Sequence, residues 1–247
     1  MNVTDLSFEG RVVQEPVQVE NLAGRVAWVG DRIQVDVETV NLLGATVSGS
    51  GVVELADGEA PEIGVEGIVE SLDLSALRWL EPRLPDARAS ARLEVEYGSD
   101  GLRATWSDGR LPLDGGDIQG EGALRIVRGG EAEFQGVRLG VSAVPASLFE
   151  EFLQRTSPLE GRVSGDIEFS GTMDAMRVAG RLELQEPGIG PTRGEIDGTL
   201  HLRSPIGVTG LTARLTPLDL GLINRFAEGL LLDEARKLLV YRRFGGG

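Results

Sequence analysis

The chain contains no cysteine and only one histidine, His201. The first absence excludes a disulfide framework and thiol chemistry. The second makes any Ser-His-Asp triad depend on His201. That residue alternates with Leu200 and Leu202 in Thr199-Leu-His-Leu-Arg203, which puts it on the polar side of a strand. No Gly-x-Ser-x-Gly elbow accompanies it. Aromatic residues are scarce at 5%, which disfavours a carbohydrate-binding β-solenoid. No apolar run approaches the ~20 residues that span a bilayer as a helix. The N-terminal MNVTDLSFEGRVVQ lacks the basic and apolar regions of a signal peptide. The expectation is a cytosolic protein or a segment of a longer exported chain. Positive charge is also short: 24 Lys and Arg stand against 39 Asp and Glu, for a net charge of −15. That balance argues against nucleic acid, whose binding needs Lys and Arg to displace counterions, and against adsorption to anionic lipid heads.

What is abundant is glycine, 35 residues without a G-X-Y period, and small aliphatic side chains. The informative stretch is residues 159–184, LEGRVSGDIEFSGTMDAMRVAGRLEL. Val163, Ile167 and Phe169 alternate with Arg162, Ser164, Asp166 and Glu168. Val178, Leu182 and Leu184 alternate with Arg177, Arg181 and Glu183. Period-2 alternation means strands with one apolar and one polar face. Gly171-Thr-Met-Asp174 between the runs reads as a hairpin connection.

The same pattern predicts strands over residues 22–29, 32–40, 45–55, 62–70, 89–97, 102–106, 117–127, 132–139, 193–203 and 206–215. Apolar spacing predicts short helices at 72–80, with Asp73 as N-cap and Pro82 as stop, and at 145–153, with Pro at its start. A third helical segment begins near Leu218. The segments LDLSALRWL, VPASLFEEFL and LDLGLINRF begin at 72, 144 and 218. Three preceding strands, from Gly44, Gly115 and Gly190, keep a similar spacing. A unit of about 73 residues therefore occurs roughly three times. The expected fold is all-β: an extended, curved antiparallel amphipathic sheet of about three such repeats, with short helical crossovers and a helical C-terminus. Residues 1–217 form the repeat-built groove, divided roughly at 1–80, 81–153 and 154–226. Residues 218–247 form the C-terminal helical segment and Gly tail.

The phrases LEGRVSGDIEFSGTMDAMRVAGRLEL, LLGATVSGSGVVEL and SLDLSALRWLEPRLPDARASARLEVEYG resemble the repeat of the TamB/AsmA-like family of bacterial envelope proteins. The resemblance covers most of residues 22–225. It implies a periplasmic location, in a parent chain anchored in the inner membrane, and a β-groove conducting the acyl chains of phospholipid. It also implies a possible tie to an outer-membrane barrel protein. It carries no catalytic residues and no cofactor, so the chain is expected not to be an enzyme. The groove is then lined by Ile33, Val35, Val37, Leu93, Val95, Val163, Ile167, Phe169, Val178, Leu182, Leu184, Ile196, Leu200 and Leu202.

Other constellations are weak. Gly49-Ser-Gly51 and Gly120-Glu-Gly122 lie inside strands, not between a strand and a helix, so they do not form a phosphate loop. Asp57-Gly-Glu59 lacks calcium-loop spacing. No carboxylate pair stands out as a glycosidase dyad. The C-terminal stretch differs in kind. Leu222, Ile223, Phe226, Leu230, Leu231, Ala235, Leu238 and Leu239 recur at helical spacing, and Arg225, Arg236, Lys237, Arg242 and Arg243 cluster there. That pattern suits a helix capping the sheet, or one facing a partner or membrane. Two functions compete: a lipid-transfer conduit, and a chaperone-like scaffold for outer-membrane protein assembly that pairs strands at open sheet edges.

Overall fold

The computed structural model describes residues 2–12, 15–42, 44–55, 61–78, 84–127, 131–148, 161–188, 190–202 and 207–216. Its strands are β1 (Asn2–Val12), β2 (Glu15–Val29), β3 (Arg32–Leu42), β4 (Ala45–Glu54) and β5 (Glu62–Asp73). They continue with β6 (Arg88–Gly98), β7 (Gly101–Leu113), β8 (Gly116–Val127) and β9 (Ala132–Pro145). The last are β10 (Arg162–Thr172), β11 (Ala175–Gln185), β12 (Thr192–His201) and β13 (Gly207–Thr216). They form one 13-stranded sheet in strict sequence order, each strand antiparallel to the next. The protein is therefore all-β, and the sheet is open and curved. Among the described residues β1 and β13 do not pair, and substantial strand contacts join sequence neighbours only.

The strands run longer than alternation alone suggests. β7 reaches Leu113 and β9 reaches Pro145 because an extra residue in each lets the ladder continue past a break in parity. Asn21, Ser71, Asp108 and Ala143 adopt left-handed backbone beside register shifts, the signature of a β-bulge. Residues 15–21 and all of β1 extend the sheet beyond the first strand expected from sequence.

The helix expected at 72–80 is corrected. Leu72 pairs with Ala89 and Asp73 with Arg88, so strand pairing claims the first turn. Among the described residues what remains is a 3-10 turn, Leu74–Leu77; residues 79 and 80 lie outside them. Asp73 does cap it: its Oδ1 accepts from the Ser75 amide at 2.9 Å and the Ser75 hydroxyl at 2.6 Å. The hydroxyl, then the amide, hold the Asp73 carboxyl below its usual value. The stability this adds is present above the ordinary carboxylate pKa and is lost as pH falls through the lowered one. The helix expected at 145–153 is likewise shortened at its start, since Pro145 ends β9; Ser147 and Leu148 are helical, and residues 149–153 lie outside the described residues. The helical segment expected from Leu218 also lies outside them.

Gly44 and Gly115 sit at the β3–β4 and β7–β8 turns with φ of 74 and 68°, whereas Gly190, third in the sequence series, is not left-handed. The bulge residues Ser71 and Ala143 precede the two long connections, β5–β6 and β9–β10. Each connection is closed by one backbone hydrogen bond, Leu74 N–H to Ala87 O at 3.0 Å and Ala146 N–H to Gly161 O at 2.9 Å. Because four strands separate them, both long connections lie at the same end of the sheet.

The Ala143 bulge is held on both sides. Its N–H donates to Ser164 Oγ at 2.9 Å, and Arg162 donates to its carbonyl at 2.6 Å and to the Asp114 carbonyl at 2.9 Å. A left-handed backbone costs an alanine about 1 kcal/mol that glycine avoids. Ala143→Gly is therefore expected to raise stability by about 1 kcal/mol, seen as a higher urea midpoint at unchanged slope. Ala143→Val should lower the midpoint.

Candidate functional site

Directly paired residues of neighbouring strands share a face, so the register traces each face across the sheet. One row runs Val26, Val35, Gly51, Val65, Val95, Ala104, Leu124, Phe134, Gly171, Met176, Leu200, Val208. It crosses from β2 to β13 without a charged residue. The row beside it runs Trp28, Ile33, Val53, Ile63, Tyr97, Leu102, Ile126. Ile33, Val35, Val37, Leu93, Val95, Val163, Ile167, Phe169, Val178, Leu182, Leu184, Ile196 and Leu200 all fall on this face. Leu202 lies just past β12 and is buried, its N–H donating to the Met173 carbonyl at 2.8 Å.

Sequence reasoning placed Tyr97 with Leu93 and Val95, and missed Trp28, Val65, Trp106, Leu124, Phe134 and Leu139 on the same face. Alternation could have found most of them. Trp106 and Leu111 share the face although they are five residues apart, because the Asp108 bulge inverts parity between them.

Glycine placement shows which way the sheet bends. A Cβ on Gly49 would collide with the Glu66 carbonyl, one on Gly165 with the Arg181 carbonyl, and one on Gly180 would sit 2.7 Å from the Asp166 carbonyl. These glycines all belong to the apolar face. On the polar face a Cβ on Gly64 would meet nothing within 4 Å, and one on Gly140 only the Asp166 carboxylate at 3.8 Å. Bending toward one face crowds the Cβ positions there and spreads those opposite, so the apolar face is the inner one. Large side chains fill the glycine gaps. The Trp106 indole and Val137 close over Gly122, and Phe134 meets Phe169 edge-on with centroids 5.8 Å apart.

Among the described residues this inner face has little cover. Val137 and Val144 are the only large side chains fully buried among the described residues. Burial concentrates near the long connections, at Ala45, Val69, Val144, Ala146 and Val163. At the opposite rim, from β2 to β8, Trp28 is 69% exposed, Ile126 38% and Tyr97 37%. The Trp28 Nε1–H already donates to the Gly30 carbonyl at 2.7 Å, leaving the exposed ring purely apolar.

The outer face is a lattice of cross-strand ion pairs: Arg32–Glu54, Arg181–Glu195 and Arg193–Glu183, with Arg138 between Glu121 and Glu168. Such exposed pairs contribute little each. A depression of about 800 Å³ on this face is bordered by Arg110, Gln119, Glu121, Arg138, Asp166 and Glu168, and Arg138 is already shared by two carboxylates. His201 is more constrained than a solvated strand residue: one ring nitrogen meets the Asp174 carbonyl and the other Thr209 Oγ1 at 2.9 Å. Among the described residues no group of His, Asp and Glu could hold a metal ion, and no helix is long and apolar enough to cross a membrane.

No protein-family model, curated protein or solved structure matches the chain.

Gly49→Ala places a methyl against strand backbone that cannot yield cheaply. It is expected to cost about 2 kcal/mol, while Gly64→Ala on the outer face stays within about 0.5 kcal/mol of the parent. Paired urea titrations check both. Equal costs at the two sites would remove the argument for inward bending.

Proposed function

We propose that the chain is a non-enzymatic lipid-transfer conduit or scaffold of the bacterial cell envelope, holding the acyl chains of phospholipid along its apolar inner face. One observation carries this reading: an apolar face continuous over the sheet from β2 to β13, with no second sheet against it among the described residues. Each methylene moved from water onto such a face contributes about 0.8 kcal/mol. A long continuous strip lets many methylenes of an extended chain withdraw apolar area from water at once. Small aliphatic linings and glycine gaps impose no directional hydrogen bonds, which suits a surface along which a ligand slides.

In this reading the sheet consists of about three repeats, each ending in a crossover at the same rim, with a helical C-terminus. The spacings of Gly44 and Gly115, and of Ser71 and Ala143, support it. So does the resemblance to the TamB/AsmA-like texture, which also favours a periplasmic location. A scaffold for outer-membrane protein assembly is a second reading, favoured by the outer edge of β13, unpaired among the described residues.

Ile167→Asp separates an open face from a covered one. On an open wall the carboxylate stays hydrated, so the thermal midpoint falls only slightly while co-purified phospholipid, read by native mass spectrometry, is lost. Under a second protein layer the same change buries an unpaired charge and costs several kcal/mol. Unfolding of the variant contradicts the proposal, and so does a stable variant that keeps its lipid.

A further inference from the structure

We propose that the rim between β2 and β8 seats in the headgroup layer of a zwitterionic bilayer, with Trp28 and Val29 reaching the acyl chains. The seating is independent of what fills the trough.

Three observations point to this partner. The first is where exposed apolar side chains collect. The even-numbered strands β2, β4, β6 and β8 all end at this rim. Trp28 is 69% and Val29 75% exposed at the end of β2. Leu55 follows β4, Tyr97 closes β6, and Ile126 and Val127 close β8, all of them exposed. Strands spaced about 4.8 Å apart spread this row over about 29 Å along the trough. Trp and Tyr favour the boundary between headgroups and acyl chains. The row is one side chain deep, a narrow fit for a protein partner, which buries about 800 Å² per side in a standard interface.

The second is that the leading turn has its polar groups satisfied. The Trp28 Nε1–H donates to the Gly30 carbonyl at 2.7 Å. The Asp31 carbonyl accepts from the Leu55 N–H at 2.8 Å. Entry into an apolar layer therefore leaves neither the indole donor nor these two carbonyls unpaired, which removes the main cost of inserting a turn. The third is charge. Among the described residues the ends and turns of this rim carry Asp31, Glu54, Glu62 and Asp100 against Arg32, which already pairs with Glu54 at 3.8 Å. Zwitterionic headgroups hold their ammonium outermost, where such carboxylates can meet it. Anionic headgroups would repel them.

The absence of cysteine allows a direct test in the full chain. Val29→Cys on this rim, or Asp114→Cys at the β7–β8 turn of the opposite rim, carries an environment-sensitive NBD label; Asp114 is exposed too. Each labelled chain is mixed with phosphatidylcholine vesicles, or with vesicles in which phosphatidylglycerol replaces part of that lipid. The Val29 label should brighten and shift to the blue on phosphatidylcholine, and less so as phosphatidylglycerol increases, while the Asp114 label stays unchanged. Trp28→Ser, confirmed folded by circular dichroism, should weaken partition in vesicle flotation about tenfold. Ile167→Asp, which lies off the rim, should keep the full response. No response, an equal response at both rims, or a response that grows with phosphatidylglycerol would overturn the seating. So would a dimer in solution with no vesicle binding. Loss of the response in Ile167→Asp would also overturn it, because the label would then report acyl chains filling the trough, and the lipid reading would stand. A full response from a chain that carries no phospholipid would uphold the seating while the lipid reading fails.

Discussion

A strand that is apolar on one side must hide that side, and a sheet has two ways to do so. It can stack on a second layer, or it can bend around the face it needs to shield. This chain bends. Bending toward the apolar side drives Cβ atoms of adjacent strands together. The fold is therefore possible only where that side carries glycines at the crowded positions. Gly49, Gly165 and Gly180 have neighbouring backbone where a methyl would stand, while Gly64 and Gly140 on the outer side do not. Glycine is abundant here for a steric reason with a direction.

The bend also explains the irregularities. Bulges at Asn21, Ser71, Asp108 and Ala143 let long strands curve and keep their apolar residues inward on both sides of the break. Long connections gather at one rim, where Val144 is fully buried. The rim from β2 to β8 keeps Trp28, Tyr97 and Ile126 in solvent. The two rims thus differ in cover although the strands between them are alike. This asymmetry leaves one side of the trough uncovered among the described residues.

Much of this was legible in the sequence, because period-2 alternation fixes which residues share a face wherever parity is unbroken. Val163, Ile167 and Phe169, opposite Leu184, Gly180 and Val178, are the clearest case. Legibility failed where a left-handed residue other than glycine inverts parity. Nothing in Trp106-Ser-Asp-Gly109 announces that Asp108 is a bulge. It failed again at residues 72–80, where helical spacing is genuine but pairing of Leu72 and Asp73 with β6 prevails. β1 escaped notice because its run is short of clean alternation and becomes a strand only by pairing with β2. Openness of the face could not be read from sequence at all, since a sandwich and a trough use the same alternation.

The central claim is that the inner face is accessible, and carbene footprinting with a photolysed diazirine tests it most directly. Val35, Val65 and Val95, adjacent in one row, should be modified far more heavily than Val137 and Val144, which packing excludes from solvent. If Val35, Val65 and Val95 prove as protected as Val137, the face is covered by protein, and the account of an open, glycine-bent trough is wrong.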